Sequence, residues 1–177
     1  MLAFDGSSLS RFAVLTLGVV LLAACVTDLR TRRIPNGLVL CTAVAGVGFA
    51  WMAHGAAGLV SSITGMLLGL AIWLPFWWLH MMGGGDVKLF AAGSAWLGPA
   101  GAAEAALLAG FCGGVLSLGY VIRRHGARHT LIRLATAIHQ PQLLREPSRA
   151  AWDDRVPYAL AMAAGLAGAA RWPGLLW

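Results

Sequence analysis

Two aspartates set in apolar sequence, Asp28 and Asp86, are the residues of this chain whose type and placement could do chemistry. Asp86 follows three consecutive glycines, and the twenty residues 62–81 before them contain no Asp, Glu, Lys or Arg. A carboxylate this deep in apolar sequence is costly unless the protein uses it, which makes Asp86 a functional candidate. Asp28 lies at the end of an earlier apolar run, just before a cluster of arginines.

Two carboxylates that lie close together in a partly desolvated site share a proton, because both cannot easily ionise. The ionised member can take a proton from water while the protonated member gives one to a leaving amine, which is the acid–base chemistry of peptide hydrolysis. His80 directly precedes the stretch 81–89 that contains Asp86 but has no identifiable nucleophile partner. Each aspartate also has an ordinary explanation, Asp28 as a solvated loop acid among arginines and Asp86 as a helix N-cap.

Four neighbours of the aspartates are candidate substrate-binding or loop-positioning residues: Gly83, Gly85, Lys88 and Asn36. The glycines lack a Cβ, so the backbone can turn there and approach a partner closely. Lys88 has three candidate roles, which are contact with substrate, orientation of the loop and contact with lipid phosphate. Asn36 follows a proline and is expected to be the N-cap of the second helix.

The composition around these residues is that of an integral membrane protein. Of the 177 residues, 59% are hydrophobic and 11% are charged, whereas about 25% are charged in a typical soluble domain. The long apolar runs predict an all-α, polytopic membrane helix bundle of about six transmembrane helices. We expect a single membrane-embedded domain over residues 1–177.

The apolar runs differ in length and in their packing signals. The run after the second aspartate, residues 89–97, is too short to cross a bilayer unaided, so we expect it to span beside a water-lined cavity or to be re-entrant. Two glycine pairs have the spacing of close helix contact, Gly65 with Gly69 and Gly110 with Gly114. Glu104, near the start of the fifth run, is expected to face the far membrane interface. The six runs are residues 8–26, 37–53, 59–82, 89–97, 102–122 and 156–177.

The placement of positive charge predicts which loops share a membrane face. Eleven of the thirteen Lys and Arg residues fall in the loops 28–36, 83–88 and 123–155, which the alternation of six spans puts on one side. Positive charge marks the cytoplasmic side. The same alternation places the two aspartates at one face. The longest loop, residues 123–155, is a basic cytoplasmic loop that either lies on an anionic membrane surface or serves as a linker.

Several other classes of protein or site are disfavoured. The cysteines Cys25, Cys41 and Cys112 stand alone in apolar runs, so neither a zinc site nor a disulfide framework is indicated, and we predict no metal and no cofactor. The net charge of +6 comes without a nucleic-acid-binding motif, so no nucleic-acid partner is expected. A signal peptide is disfavoured because the arginine cluster follows the first run. A small ion- or proton-coupled transporter remains an alternative use of paired acids, although no internal repeat is evident.

The two motifs resemble those of one family. Gly83-Gly84-Gly85-Asp86 fits the Gly-x-Gly-Asp motif of membrane aspartic proteases, and Gly-x-Gly-Asp-Val-Lys-Leu followed by Ala-Trp-Leu-Gly resembles the type IV prepilin peptidases. The stretch from Asp28 to Arg33-Ile34-Pro35-Asn36 resembles that family's other aspartate motif, in the expected order. The resemblance covers residues 12–122 and the last apolar run. The short chain without cysteine pairs resembles the Flp/tight-adherence branch, which lacks an extra cytoplasmic zinc-binding and methylating portion.

This resemblance implies an aspartic endopeptidase with Asp28 and Asp86 as its catalytic pair. The reaction would be removal of a short basic leader from type IV (Flp-type) prepilins at the cytoplasmic face of the bacterial inner membrane. The implied partners are prepilin and pseudopilin substrates and membrane lipid. The basic segment 123–155 is longer than the resemblance leads us to expect.

Overall fold

The computed structural model describes residues 6–31, 34–79, 81–125 and 158–171, and every regular element in those ranges is an α-helix. The predicted all-α class is confirmed. Most of the predicted basic loop, from residue 126 onward, lies outside the described residues, as do His80, Arg32 and Arg33. The helices are α1 (Gly6–Thr31), α2 (Asn36–Trp78), α3 (Gly84–Ser94), α4 (Gly98–His125) and α5 (Tyr158–Arg171).

α2 consists of two helical arms that reverse direction at Gly55. This glycine has φ 59° and ψ −139°, a backbone conformation that is essentially restricted to glycine. The arms approach so closely that a Cβ at Gly58 would overlap the main-chain carbonyl of Ala50 in the first arm. Gly46 in the first arm and Ser62 in the second both meet Ala95. The predicted separation of the second and third apolar runs at this glycine is therefore confirmed.

α3 is an enclosed helix that runs antiparallel to the second arm of α2. Residues 87–95 are all buried except Lys88. The close approach depends on Gly65 and Gly69, because a Cβ at either position would overlap Ser94. The predicted packing role of this glycine pair is confirmed.

The start of α3 differs from the prediction for residues 89–97. The helix begins two residues before Asp86, with Gly83 as its N-cap, so the predicted N-cap role of Asp86 is wrong. The first-turn N–H groups have no intrahelical partner, and an acid at the third position still interacts favourably with the helix dipole. α3 ends in a hydrogen-bonded turn that reaches Gly98, whose φ is 71°. α4 starts there, at the end of α3 remote from Asp86. Whether α3 spans a membrane beside a cavity or is re-entrant stays a prediction.

α4 packs against α5 through small residues, but they are not the predicted ones. A Cβ at Gly165 of α5 would overlap Ala105 and Ala109 of α4. In contrast, a Cβ at Gly114 would meet no atom within 4 Å, and one at Gly110 would meet only Trp73, at 3.9 Å. The packing role predicted for that pair is wrong because α4 turns its alanine face, and not its glycine face, toward α5.

Glu104 lies inside the bundle and does not face the far interface. Its side chain is 2% exposed, and Ala102 and Ala105 beside it are fully buried. On the outer face of α4 this acid would meet lipid, where a charged side chain is most costly. The expectation from its sequence position was therefore wrong.

The outer surface of the bundle is apolar, as a lipid-facing surface requires. Leu15, Val19 and Leu22 on one face of α1 are each about two-thirds exposed. In the described part of the chain, three helices are long and apolar enough to cross a membrane, and one of them is the two-armed α2. The chain is a polytopic helical membrane protein, while the count of six spans stays a prediction.

Candidate active site

Asp28 lies in the last turn of α1 and is half-buried. The Thr27 hydroxyl donates to two carbonyl oxygens one turn earlier, at 3.0 and 2.9 Å, and the Thr31 hydroxyl donates to the Thr27 carbonyl at 2.8 Å. Arg30 supplies the positive charge that the helix dipole favours at this end. The last turn of α1 therefore carries a favourable basic residue beside its unfavourable carboxylate.

Asp86 occupies the opposite kind of helix end, the first turn of α3, and is also half-buried. A Cβ at Gly83 would lie 3.1 Å from Oδ2 of Asp86, so the carboxylate folds back over the N-terminal end of its own helix. The unsatisfied N–H groups and the dipole favour negative charge at this position. The half-buried carboxylate therefore lies at the N-terminal end of a helix that is otherwise largely buried.

The glycine triplet is used for close approach and not for an unusual backbone turn. Within the described residues the glycines with positive φ are Gly55 and Gly98, so none of the triplet needs the left-handed region. A Cβ at Gly84 would lie 3.0 Å from Nε1 of Trp77, and a Cβ at Gly85 would lie 3.4 Å from Cβ of Ile34. The predicted close approach at the triplet is confirmed.

The contact between Ile34 and Gly85 joins the two sequence motifs. Ile34 belongs to the segment after α1, whereas Gly85 directly precedes the second aspartate. Cys25 lies one turn before Asp28 on the same helix. The structure therefore brings the two aspartates to the same end of the bundle, as the alternation of spans predicted.

Cys25 also links this end of α1 to α5. Its buried thiol contacts the main-chain carbonyl of Ala159, the second residue of α5, with an Sγ–O distance of 3.7 Å. This contact joins the start of α5 to the part of α1 that lies one turn before Asp28. Two carboxylates that approach each other in a partly desolvated site share a proton and can activate a water. Within the described residues no group of three or more His, Cys, Asp or Glu side chains could hold a metal ion.

The remaining candidate residues lie beside the aspartates without a demonstrated role. Asn36 is exposed and is the first residue of α2, whose N-cap is Pro35, so the predicted N-cap role of Asn36 is wrong. Pro35 accepts the first hydrogen bonds of that helix through its carbonyl oxygen. Lys88 is exposed two residues after Asp86. Its contact with lipid or substrate stays a prediction.

Two residues at this end of the bundle were not identified from the sequence, Cys25 and Trp77. Cys25 precedes Asp28 by three residues, which is the helical spacing for side chains on one face. That spacing was a usable signal. Trp77 precedes Gly84 by seven residues, and nothing in this spacing indicates that the indole lies against Gly84.

Comparisons with known proteins point to one family. The model of the type IV leader peptidase family matches residues 15–118, which include both aspartates. A curated relative, the type 4 prepilin-like proteins leader peptide-processing enzyme of Escherichia coli O78:H11 (strain H10407 / ETEC), is 32% identical over 108 residues. That match covers 57% of this chain and 40% of the relative, so the chain matches less than half of the relative's length. No solved structure matches the chain.

Proposed function

Because the chain belongs to the type IV leader peptidase family, we propose that it is a membrane aspartic endopeptidase that removes the short basic leader of type IV prepilins, specifically those of the Flp type. The observation that carries this proposal is the meeting of the two aspartate motifs at one end of the bundle, through the contact of Ile34 with Gly85. The proposed substrates are prepilins and pseudopilins, and lipid surrounds the helices.

The proposed catalytic pair is Asp28 and Asp86. The ionised carboxylate accepts a proton from water as the water oxygen bonds to the carbonyl carbon of the scissile amide. The protonated carboxyl donates its proton to the amide nitrogen as the carbon–nitrogen bond breaks. The products are a leader with a new carboxyl end and a pilin with a new amino end, and the pair has exchanged its proton.

The neighbouring residues have supporting roles in this proposal. Gly83 and Gly85 bring the main chain close to Asp86 and Ile34, respectively, and so position the loop. Lys88 and Asn36 are exposed beside the site, where they can contact the substrate or orient the segments that carry the aspartates.

The proposed location is the bacterial inner membrane, with the aspartates at the cytoplasmic face. Arg30 and Lys88 lie on the same short segments as the aspartates, and positive charge marks the cytoplasmic side of a membrane protein. The basic segment 123–155 belongs to the same face in this topology.

The test replaces each aspartate by its neutral isostere in a reconstituted cleavage assay with a Flp-type prepilin. Asp28→Asn and Asp86→Asn should each lower the cleavage rate by roughly 10²–10⁴-fold, the range for loss of a general acid or base. Asp5→Asn, at an acid that precedes α1, is the matched control and should cleave normally. Full cleavage by either variant would reject the role assigned to that residue. Ion flux through wild-type proteoliposomes that cleave no prepilin would favour the transporter alternative.

A further inference from the structure

Two apolar side chains from distant parts of the chain hold the glycine triplet from two directions. The three atoms nearest to a Cβ at Gly84 all belong to Trp77: Nε1 at 3.0 Å, Cδ1 at 3.5 Å and Cε2 at 3.8 Å. The three nearest to a Cβ at Gly85 all belong to Ile34: Cβ at 3.4 Å, Cγ1 at 3.6 Å and Cδ1 at 3.7 Å. The first turn of α3 therefore lies between the end of α2 and the segment after α1.

The indole, and not the backbone, explains why residue 84 must be small. Gly84 is the first residue of α3 and does not have a positive φ. Alanine would therefore fit the backbone there, and inside a helix it is favoured over glycine by about 1 kcal/mol. What opposes a side chain at this position is the contact with Trp77, which is tighter than most Cβ contacts.

Two main-chain hydrogen bonds span Trp77, each joining a residue before it to a residue after it. The N–H of Leu79 donates to the Pro75 carbonyl at 2.9 Å, and the N–H of Met81 donates to the Phe76 carbonyl at 2.9 Å. The indole is 49% exposed, yet its base is fixed in this turn. A shift of Gly84 against the indole is therefore resisted by the end of α2.

We propose that Trp77 is a positioning residue that, together with Ile34, holds the first turn of α3 so that the carboxylate of Asp86 faces Asp28. This inference rests on the proposed function, because Trp77 and Ile34 would fix the geometry of the proposed catalytic pair. Asp86 follows Gly84 by two residues in the same helical turn, so displacing one displaces the other. A simple membrane-interface anchor would not require this contact.

The test is compensation between positions 84 and 77 in the cleavage assay. Gly84→Ala should lower kcat about tenfold or more and change KM less than about threefold, because the substrate still binds while the carboxylate is displaced. Adding Trp77→Ala removes the ring atoms nearest to the new Cβ and should restore kcat to within about threefold of Trp77→Ala alone. The neighbouring Trp78, 79% exposed, supplies the matched control, since Trp78→Ala should not restore Gly84→Ala.

A second measurement separates failure of this inference from failure of the proposed function. In a chain carrying Ile34→Cys and Gly85→Cys, Gly84→Ala should slow disulfide formation severalfold, and Trp77→Ala should restore the rate, whether or not any prepilin is cleaved. If Gly84→Ala leaves kcat and the disulfide rate unchanged, the positioning role of Trp77 is refuted. An equal loss in the wild-type and Trp77→Ala backgrounds would also refute this role, because the cost would then lie in the backbone.

Discussion

A disulfide between positions 34 and 85 should form readily if the two motifs meet as the structure shows. Replacing Ile34 and Gly85 by cysteine would place the two Cβ atoms 3.4 Å apart, and protein disulfides span about 3.5–4.5 Å between these atoms. A relaxation of a few tenths of an ångström is therefore sufficient. The closed loop contains roughly 50 residues, for which the loop-closure model gives an upper limit of about 4 kcal/mol of stabilisation.

The assay uses the full chain in membranes, in a background whose three native cysteines are replaced by alanine. After mild oxidation and denaturation, the free thiols are counted by the gel shift that a maleimide-linked polymer produces. We expect nearly complete loss of both thiols, at a rate independent of protein concentration, and full recovery on reduction. The control pair combines Ile34→Cys with Ser61→Cys, because Ser61 packs against Gly98 at the other end of α3 and should not cross-link.

The result that would refute the geometry is persistence of both thiols at positions 34 and 85 under oxidation. The two motifs would then not be in contact, and the shared water of the proposed reaction would have no site. Equal cross-linking of the control pair would show that the assay reports chance encounters in unfolded chains. Because no cleavage is measured, the outcome is independent of substrate choice.

The remaining predictions concern the thiols and the reversal of α2. Replacing Cys25, Cys41 and Cys112 together by alanine should leave cleavage within about threefold of wild type, because general acid–base hydrolysis by carboxylates uses no thiol; abolished cleavage in a folded protein would implicate Cys25. Gly55→Ala should destabilise the chain by about 1–3 kcal/mol, the cost of a backbone conformation that alanine avoids, and lower its thermal midpoint. Gly48→Ala, where an added Cβ meets nothing within 4 Å, is the matched control, and an equal loss there would contradict the reasoning.

The placement of both aspartates at one end of the bundle could be predicted from the sequence, because it follows from the number of apolar runs between them. Apolar length gives the number of crossings between Asp28 and Asp86, and the arginines indicate one face. Neither step needs knowledge of side-chain packing. The contact of Ile34 with Gly85 agrees with this reasoning although the two residues lie in different segments.

The details around the aspartates could not be predicted, because they depend on tertiary packing. Gly83 is the N-cap of α3 and Asp86 is not, although aspartate is the better N-cap by intrinsic preference. Glu104 was predicted to face an interface because it lies near the start of the fifth run, yet it is 2% exposed. In both cases the local pattern permits two structures, and the neighbouring helices decide between them.

The helices that carry the two aspartates are enclosed to different degrees, and this difference bears on the chemistry. In a bilayer, burial of apolar side chains contributes little to helix association, so position is set by close packing and hydrogen bonds. α3 has both: its far end meets Gly69 and accepts a hydrogen bond from Ser62 at the Ala95 carbonyl, at 2.7 Å. Its near end lies between Trp77 and Ile34.

The helix of Asp28 is less enclosed. α1 exposes a face of leucine and valine side chains, whereas residues 87–94 of α3 are all buried except Lys88. Packing on every side opposes a shift of α3 more than packing on one face opposes a shift of α1. Any change in the separation of the two carboxylates as a substrate enters is therefore expected to come from α1, with Asp86 as the fixed member of the pair.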